Sequence, residues 1–281
     1  MGPRLAVSNL AWPPALESSA SARLTALGVA GVEVAPTRIA NWEGLTPEVL
    51  KAYRSRLADV GLKVSSLQAL LFGVEGAQLL GDNGAFGVFR SHLERVAHVG
   101  NLLGARVAVF GAPRSRLLLG HSSADAMSIA ADRLRLLAPL LQEAELVLGI
   151  EPVPGHYGGE FLTHADQVAE LVRRVDDPAI RLHLDTGCVL LGGEAIGEKI
   201  VAHHPILAHF HAAETDLAGF DVTKSDHVGA SEALAAVNYD HWISIEMKPQ
   251  APDPLIGVER AVRYVQQVYF GRANSDADVP V

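Results

Sequence analysis

A chain of 281 residues that is 49% hydrophobic and 20% charged is long enough to bury one large core, and its formal net charge of −9 speaks against nucleic acid, whose binding rests on phosphate neutralisation. A single cysteine, Cys188, excludes an internal disulfide framework, and no run of about 18 apolar residues is present to span a bilayer. The opening MGPRLAVSNLAWPP has neither the basic start nor the unbroken apolar stretch of a signal peptide, so the sequence predicts a cytoplasmic protein with no membrane partner.

Two periodicities alternate along the chain. RLAVSNL (4–10) reads as a first strand, and a weaker helical pattern follows near 18–27. GVEVAPT (31–37) precedes the helical PEVLKAYRSRLADVG (47–61), KVSSLQALL (63–71) precedes AFGVFRSHLERVAHVGNLLG (85–104), and RVAVFGA (106–112) precedes ADAMSIAADRLRLLAPLLQEAE (124–145). In the second half ELVLGIEP (145–152) is followed by HADQVAELVRRV (164–175), and IRLHLD (180–185) by the weaker EAIGEKIVAHH (194–204). ILAHFH (206–211) then leads to GASEALAAV (229–237), and HWISIEM (241–247) to DPLIGVERAVRYVQQVYF (253–270). Ser122 with Asp125, and Thr163 with Asp166, have the spacing of capped helix starts. GRANSDADVPV (271–281) reads as a polar, disordered tail. Strand-then-helix units in this number predict one α/β domain over residues 1–270, closed as a single (β/α)8 TIM barrel. A doubly wound sheet is disfavoured because no GxGxxG follows the first strand.

In such a barrel the chemistry gathers where strands end. The fifth to eighth strands end at Glu151 (LGIEPVPGHYG), Asp185 (LHLDTGC), His211 (AHFHAAE) and Glu246 (SIEMKP). Neighbouring parallel strands lie about 4.8 Å apart, so these side chains can converge on one volume. Each acid taken alone reads equally well as a helix cap or an ion-pair partner. Carboxylates crowded together in low dielectric repel, however, unless a cation lies between them, and an oxygen-rich set with one imidazole suits a single divalent metal ion: Mn, Mg, Co or Zn.

In this order and at these spacings the residues resemble the xylose isomerase-like barrels, which include ketose 3-epimerases, inosose dehydratases, hydroxypyruvate isomerases and endonuclease IV. The resemblance runs from the first strand to SIEMKP, is sharpest from Glu151 onward, and extends to HAAE (211–214) and NYDHW (238–242). It implies that Glu151, Asp185, His211 and Glu246 hold one divalent metal. It further implies that Glu151 and Glu246 are the catalytic pair, moving protons on opposite faces of a small polyhydroxylated carbonyl substrate through an enediolate. The implied activity is a metal-dependent isomerase or epimerase of a sugar, sugar derivative or cyclitol. The same constellation also serves a dehydratase of a keto-cyclitol or keto-sugar, and a non-catalytic sugar- or metal-binding barrel is a third reading. Relatives of this kind are often homo-oligomers.

Two positions depart from the pattern: Cys188 stands where relatives carry a substrate-contacting His, and Leu217 where epimerases carry an Arg. The third, fourth and sixth strands present Gln68, Phe110 or Gly111, and Cys188, so the extra histidines of endonuclease IV are missing. Substrate-binding candidates at the rim are Trp12, Gln68, Arg114, His156, Tyr157, Cys188, Glu214 and His227, with Arg116, Asp216 and Lys224 nearby. Trp12 offers a face for a sugar ring, and the arginines could grip a carboxylate or phosphate. His183 and His209 share the strand parity of Asp185 and His211 and should point inward one layer deeper; Ser244 shares that of Glu246.

Overall fold

Strands covered on both faces carry near-continuous apolar runs, and that is how these read. They are β1 (Arg4–Ser8), β2 (Gly31–Val34), β3 (Lys63–Leu67), β4 (Val107–Phe110), β5 (Val147–Ile150), β6 (Ile180–Asp185), β7 (Leu207–Ala213) and β8 (Trp242–Glu246). They pair in parallel in chain order and β8 closes on β1, so the sheet is a closed (β/α)8 barrel. A computed structural model describes residues 2–271; apart from Gly271, the expected disordered tail lies outside the described residues.

The connecting helices are α1 (Glu17–Ala26), α2 (Pro47–Asp59), α3 (Asn83–Leu103), α4 (Ser123–Glu143), α5 (Ala165–Val175), α6 (Thr186–Leu191), α7 (Ile196–His203), α8 (His227–Ala236) and α9 (Pro254–Phe270). Their buried apolar stripes, such as Leu93 and Val96 on α3, Leu134 and Leu141 on α4, and Val168 and Val172 on α5, pack between helix layer and barrel. None of the described helices is long and apolar enough to cross a membrane.

Several local expectations need correction. TGCVLL forms the short helix α6, which is too brief to show a helical period in sequence. Ser122 does cap α4, its Oγ accepting from the Asp125 N–H at 3.1 Å. Thr163 does not cap α5: His164 holds the cap position without a side-chain bond. Asp166 is drawn instead to Lys199 and His203 of α7, at 2.7 and 2.8 Å, where an interhelical cation outweighs a local backbone donor. His227 opens α8 rather than lying in the loop before it. β7 does not end at His211; it runs on to Ala213 because Ala213 still pairs with Glu246 of β8.

Register places the candidate residues. Asp185 lies opposite His211, His211 opposite Ser244, and Glu246 opposite Ala213, two residues further up. This offset is the stagger that barrel closure requires. His183 pairs with His209 in the inward layer beneath. Inside the barrel Ser8, Glu33, Ser66, Gln68, His183, His209, His211 and Ser244 are all buried, where branched aliphatic side chains are the usual filling. Polar groups there cost stability unless they satisfy one another, so their arrangement bears on function.

Candidate active site

Glu151, Asp185, His211 and Glu246 each offer a ligand atom, and these atoms lie within 4.8 Å of one another. His211 Nδ1 is 3.2 Å from Glu246 Oε2 and 3.5 Å from Asp185 Oδ2. Asp185 divides its oxygens: Oδ1 accepts from the Cys188 N–H at 2.7 Å and caps α6, while Oδ2 faces the imidazole. Glu151 follows the last residue of β5 and is fitted closely against its neighbours. A Cβ at Gly111 would fall 1.9 Å from Glu151 Oε2, so a side chain there would displace the carboxylate. Arg116 is fully buried beneath, donating from Nη2 to the Glu151 carbonyl at 2.7 Å, with its guanidinium 5.5 Å from the centre of the Phe110 ring. The Cys188 thiol donates to Glu151 Oε1 at 3.7 Å. Burial, and then the nearby Asp185 and Glu151, push that thiol's pKa well up, so it remains a thiol.

Beneath this quartet lies a residue that the sequence reading overlooked. Glu33, wholly buried on β2, receives a hydrogen bond from His209 Nε2 at 2.6 Å and another from Ser66 Oγ, and its Oε1 lies 2.8 Å from His211 Nε2. The signal was present in GVEVAPT as a lone acid inside an apolar strand. Gln68, with its amide nitrogen turned toward the acids, donates to Glu246 Oε1 at 3.1 Å and to Glu33, and accepts from Ser8 Oγ at 2.6 Å. His211 is thus held from below by one carboxylate while its other nitrogen faces the quartet, the arrangement that orients an imidazole for a metal. His183, 3.8 Å from Glu151 Oε1, packs against His211 with ring centroids 4.1 Å apart.

Burial opposes every charge here, and the neighbours decide the outcome. Burial, then the charges of Asp185 and Glu246, push the Glu151 carboxyl up to about 8; burial also raises Glu246. Burial alone would raise Glu33, but His211 and His209 outweigh it and hold its pKa well below the usual value. Burial alone would lower His211, but Glu33 and Glu246 hold it well above. Burial keeps His183 and His209 neutral.

A pH dependence follows for metal-free protein. An unfolded glutamate loses its proton near pH ~4.3, whereas native Glu151 keeps it until about 8. The stability this contributes is complete below the unfolded pKa and is lost as pH rises through the folded one; the raised His211 has the same sign. Neutral His183 and His209 act oppositely, but only below about pH 6.5, where unfolded imidazoles charge. The melting temperature in chelator therefore falls between about pH 6.5 and 8, above the range where the opposing histidines act, and a saturating divalent cation flattens the fall. A profile already flat in chelator would contradict the crowding.

A cavity of about 710 Å3 opens above Glu151, His211, Glu246 and Gln68, walled by residues 69–75 and 109–115. Of the other rim candidates, only Arg114 lines it among the described residues. Trp12 is wholly buried, donating from its indole to Glu17 Oε2 at 2.7 Å, because the carboxylate that also accepts from Tyr53 draws it into the core. His156 donates to Asp216 at 2.8 Å and Tyr157 Oη accepts the Asp216 N–H at 2.6 Å, which clasps the loops after β5 and β7 together. Glu214 accepts from the backbone of Lys224 and Ser225 and from His227 Nε2 at 2.8 Å, and His227 Nδ1 meets Tyr269 Oη at 2.8 Å. Those residues fasten the β7 loop to the helices. Cys188 lies against Glu151 rather than on the cavity wall.

Among solved structures, the chain is similar to a 3-keto-D-glucoside 4-epimerase from E. coli at 15% identity, covering 94% of this chain and 99% of that one with a TM-score of 0.79. A D-psicose 3-epimerase from Clostridium cellulolyticum H10, solved with D-tagatose, is 13% identical over 95% of this chain and 99% of its own, with a TM-score of 0.80. The probable 3-DHS dehydratase AsbF from Bacillus anthracis is 15% identical over 96% and 100%, with a TM-score of 0.71. At these identities the likeness is one of fold. A comparison with proteins of curated function finds no match. A family model does match, over residues 22–267: the chain belongs to the xylose isomerase-like TIM barrel family.

Proposed function

We propose that the protein is a divalent-metal-dependent isomerase or epimerase acting on a sugar, sugar derivative or cyclitol, with Glu151 and Glu246 as the pair that moves the proton. The observation that carries this reading is the convergence of Glu151, Asp185, His211 and Glu246 at the floor of a cavity that both glutamates face. The donor set suits Mn, Mg, Co or Zn: His211 Nδ1 is buried without a hydrogen bond, turned toward Asp185 and Glu246 while Glu33 holds the opposite edge of the ring. When bound, such an ion supplies Lewis-acid stabilisation of the negative charge left on a substrate oxygen.

The remaining work falls to the chain. Glu151, anchored through Arg116 and Cys188, takes a proton from the carbon beside the carbonyl on one face, and Glu246, held by Gln68, returns it from the other. Return to the opposite face inverts the centre, return to the neighbouring carbon exchanges aldose and ketose, and loss of a β-hydroxyl dehydrates. That relatives named as epimerases and as a dehydratase share the fold is consistent with this spread. A cytoplasmic setting suits a chain whose lone thiol is buried and unpaired, and neither nucleic acid nor membrane has a part in this reading.

The test is incubation of the Mn2+-loaded protein in D2O with ketoses, keto-acids and inososes, followed by NMR and mass spectrometry. Incorporation of one carbon-bound deuterium with formation of an epimer or isomer is the expected result. An unsaturated product with loss of water would make the enzyme a dehydratase. Silence across the panel would overturn proton transfer and leave a binding barrel.

A further inference from the structure

We infer that the substrate has two parts: a polyhydroxylated carbonyl unit on the acidic floor, and an aromatic or branched-alkyl substituent lying on the wall built by the loops after β3 and β4. The inference rests on the proton-transfer reading of the floor and adds what lies beyond it. At about 710 Å3 the cavity is in the size range of sites for drug-sized ligands. Leaving the floor, it is bounded on the β3 and β4 side by Leu71, Phe72, Val74, Phe110 and Pro113. The polar side chains on that side, Glu75, Arg114 and Ser115, come from the loops rather than the floor. Hydroxyls of a free sugar laid against Leu71, Phe72, Val74 and Pro113 themselves would give up water without a side-chain partner from those four residues, which is unfavourable.

The opposite side of the rim leads to the same conclusion. Several polar side chains there have partners within the chain: His156 bonds Asp216, Tyr157 Oη accepts the Asp216 backbone N–H, and Glu214 bonds His227. Phe72 completes the case. Phe72 lines the cavity with 70% of its surface exposed, while its backbone carbonyl is anchored by the Trp42 indole N–H at 2.9 Å. A large apolar face held open on a fixed backbone, continuous with the acidic floor, gains by being covered with an apolar or aromatic group.

The experiment compares the methyl and phenyl glycosides of one aldose that carries a free ring ketone beside its blocked anomeric centre, as substrates for the full-length, Mn2+-loaded protein, reading solvent deuterium incorporation. The expected result is a KM at least tenfold lower for the phenyl compound, a ratio that Phe72→Ala reduces below threefold and Phe72→Tyr preserves. Equal KM values, or a ratio indifferent to Phe72→Ala, would overturn the two-part substrate while leaving proton transfer intact. If neither compound exchanges, the proton-transfer reading fails for this pair and calorimetry decides the wall by itself: a Kd at least tenfold tighter for the phenyl glycoside supports it, and equal or absent binding overturns it.

Discussion

Glu246→Gln lowers turnover by about a thousandfold, the middle of the range for loss of a positioned acid or base. The amide keeps the shape of the floor and still offers one oxygen, so metal binding weakens without vanishing. It cannot carry the proton. A second readout separates this from simple misfolding. Burial raises the Glu246 pKa among the neighbouring acids, so removing its charge relieves repulsion, and the metal-free variant should melt at or above the wild-type temperature. Turnover near the wild-type rate, measured with metal content verified, would reject Glu246 as a proton carrier.

Glu33→Gln produces the largest loss of stability, about 3–5 kcal/mol by urea denaturation, the usual cost of removing one member of a buried charge cluster. Glu33 is the anion against which His209 and His211 are set, at 2.6 and 2.8 Å. Without it, burial prevails over His211, whose pKa falls and whose ring loses the contact that turns Nδ1 toward Asp185 and Glu246. Divalent-metal affinity should drop roughly 10- to 100-fold, as when an outer carboxylate is removed from a ligating histidine. Because Glu33 is out of reach of the cavity, a variant with wild-type stability and wild-type Mn2+ affinity would show that the lower layer is mere filling.

The alternation of strand and helix patterns was legible because each is a local periodicity, and eight repeats without a GxGxxG after the first strand favoured a closed barrel over a doubly wound sheet. The quartet was legible for a related reason: acids and a histidine at or near the ends of consecutive strands converge on one point once those strands are parallel neighbours. Local reasoning failed where a long-range partner competed. Thr163 lost its expected role because Asp166 found Lys199 and His203 on another helix. Trp12 looked like a sugar platform in sequence, yet Glu17 drew it inward. His156, Tyr157, Glu214 and His227 are as polar as any binding residue, but their partners are other parts of this chain.

What the sequence determined by itself was the barrel and the four residues near the C-terminal ends of its fifth to eighth strands, because these follow from composition and period; where β5 and β7 stop was decided by pairing with neighbouring strands. Only the tertiary structure decided that Glu33 stands under His211, that Gly111 leaves room for Glu151, and that the cavity opens toward an apolar wall between β3 and β4. The physical reason is that burial and electrostatic pairing depend on distances between residues far apart in the chain, and no local pattern carries those distances.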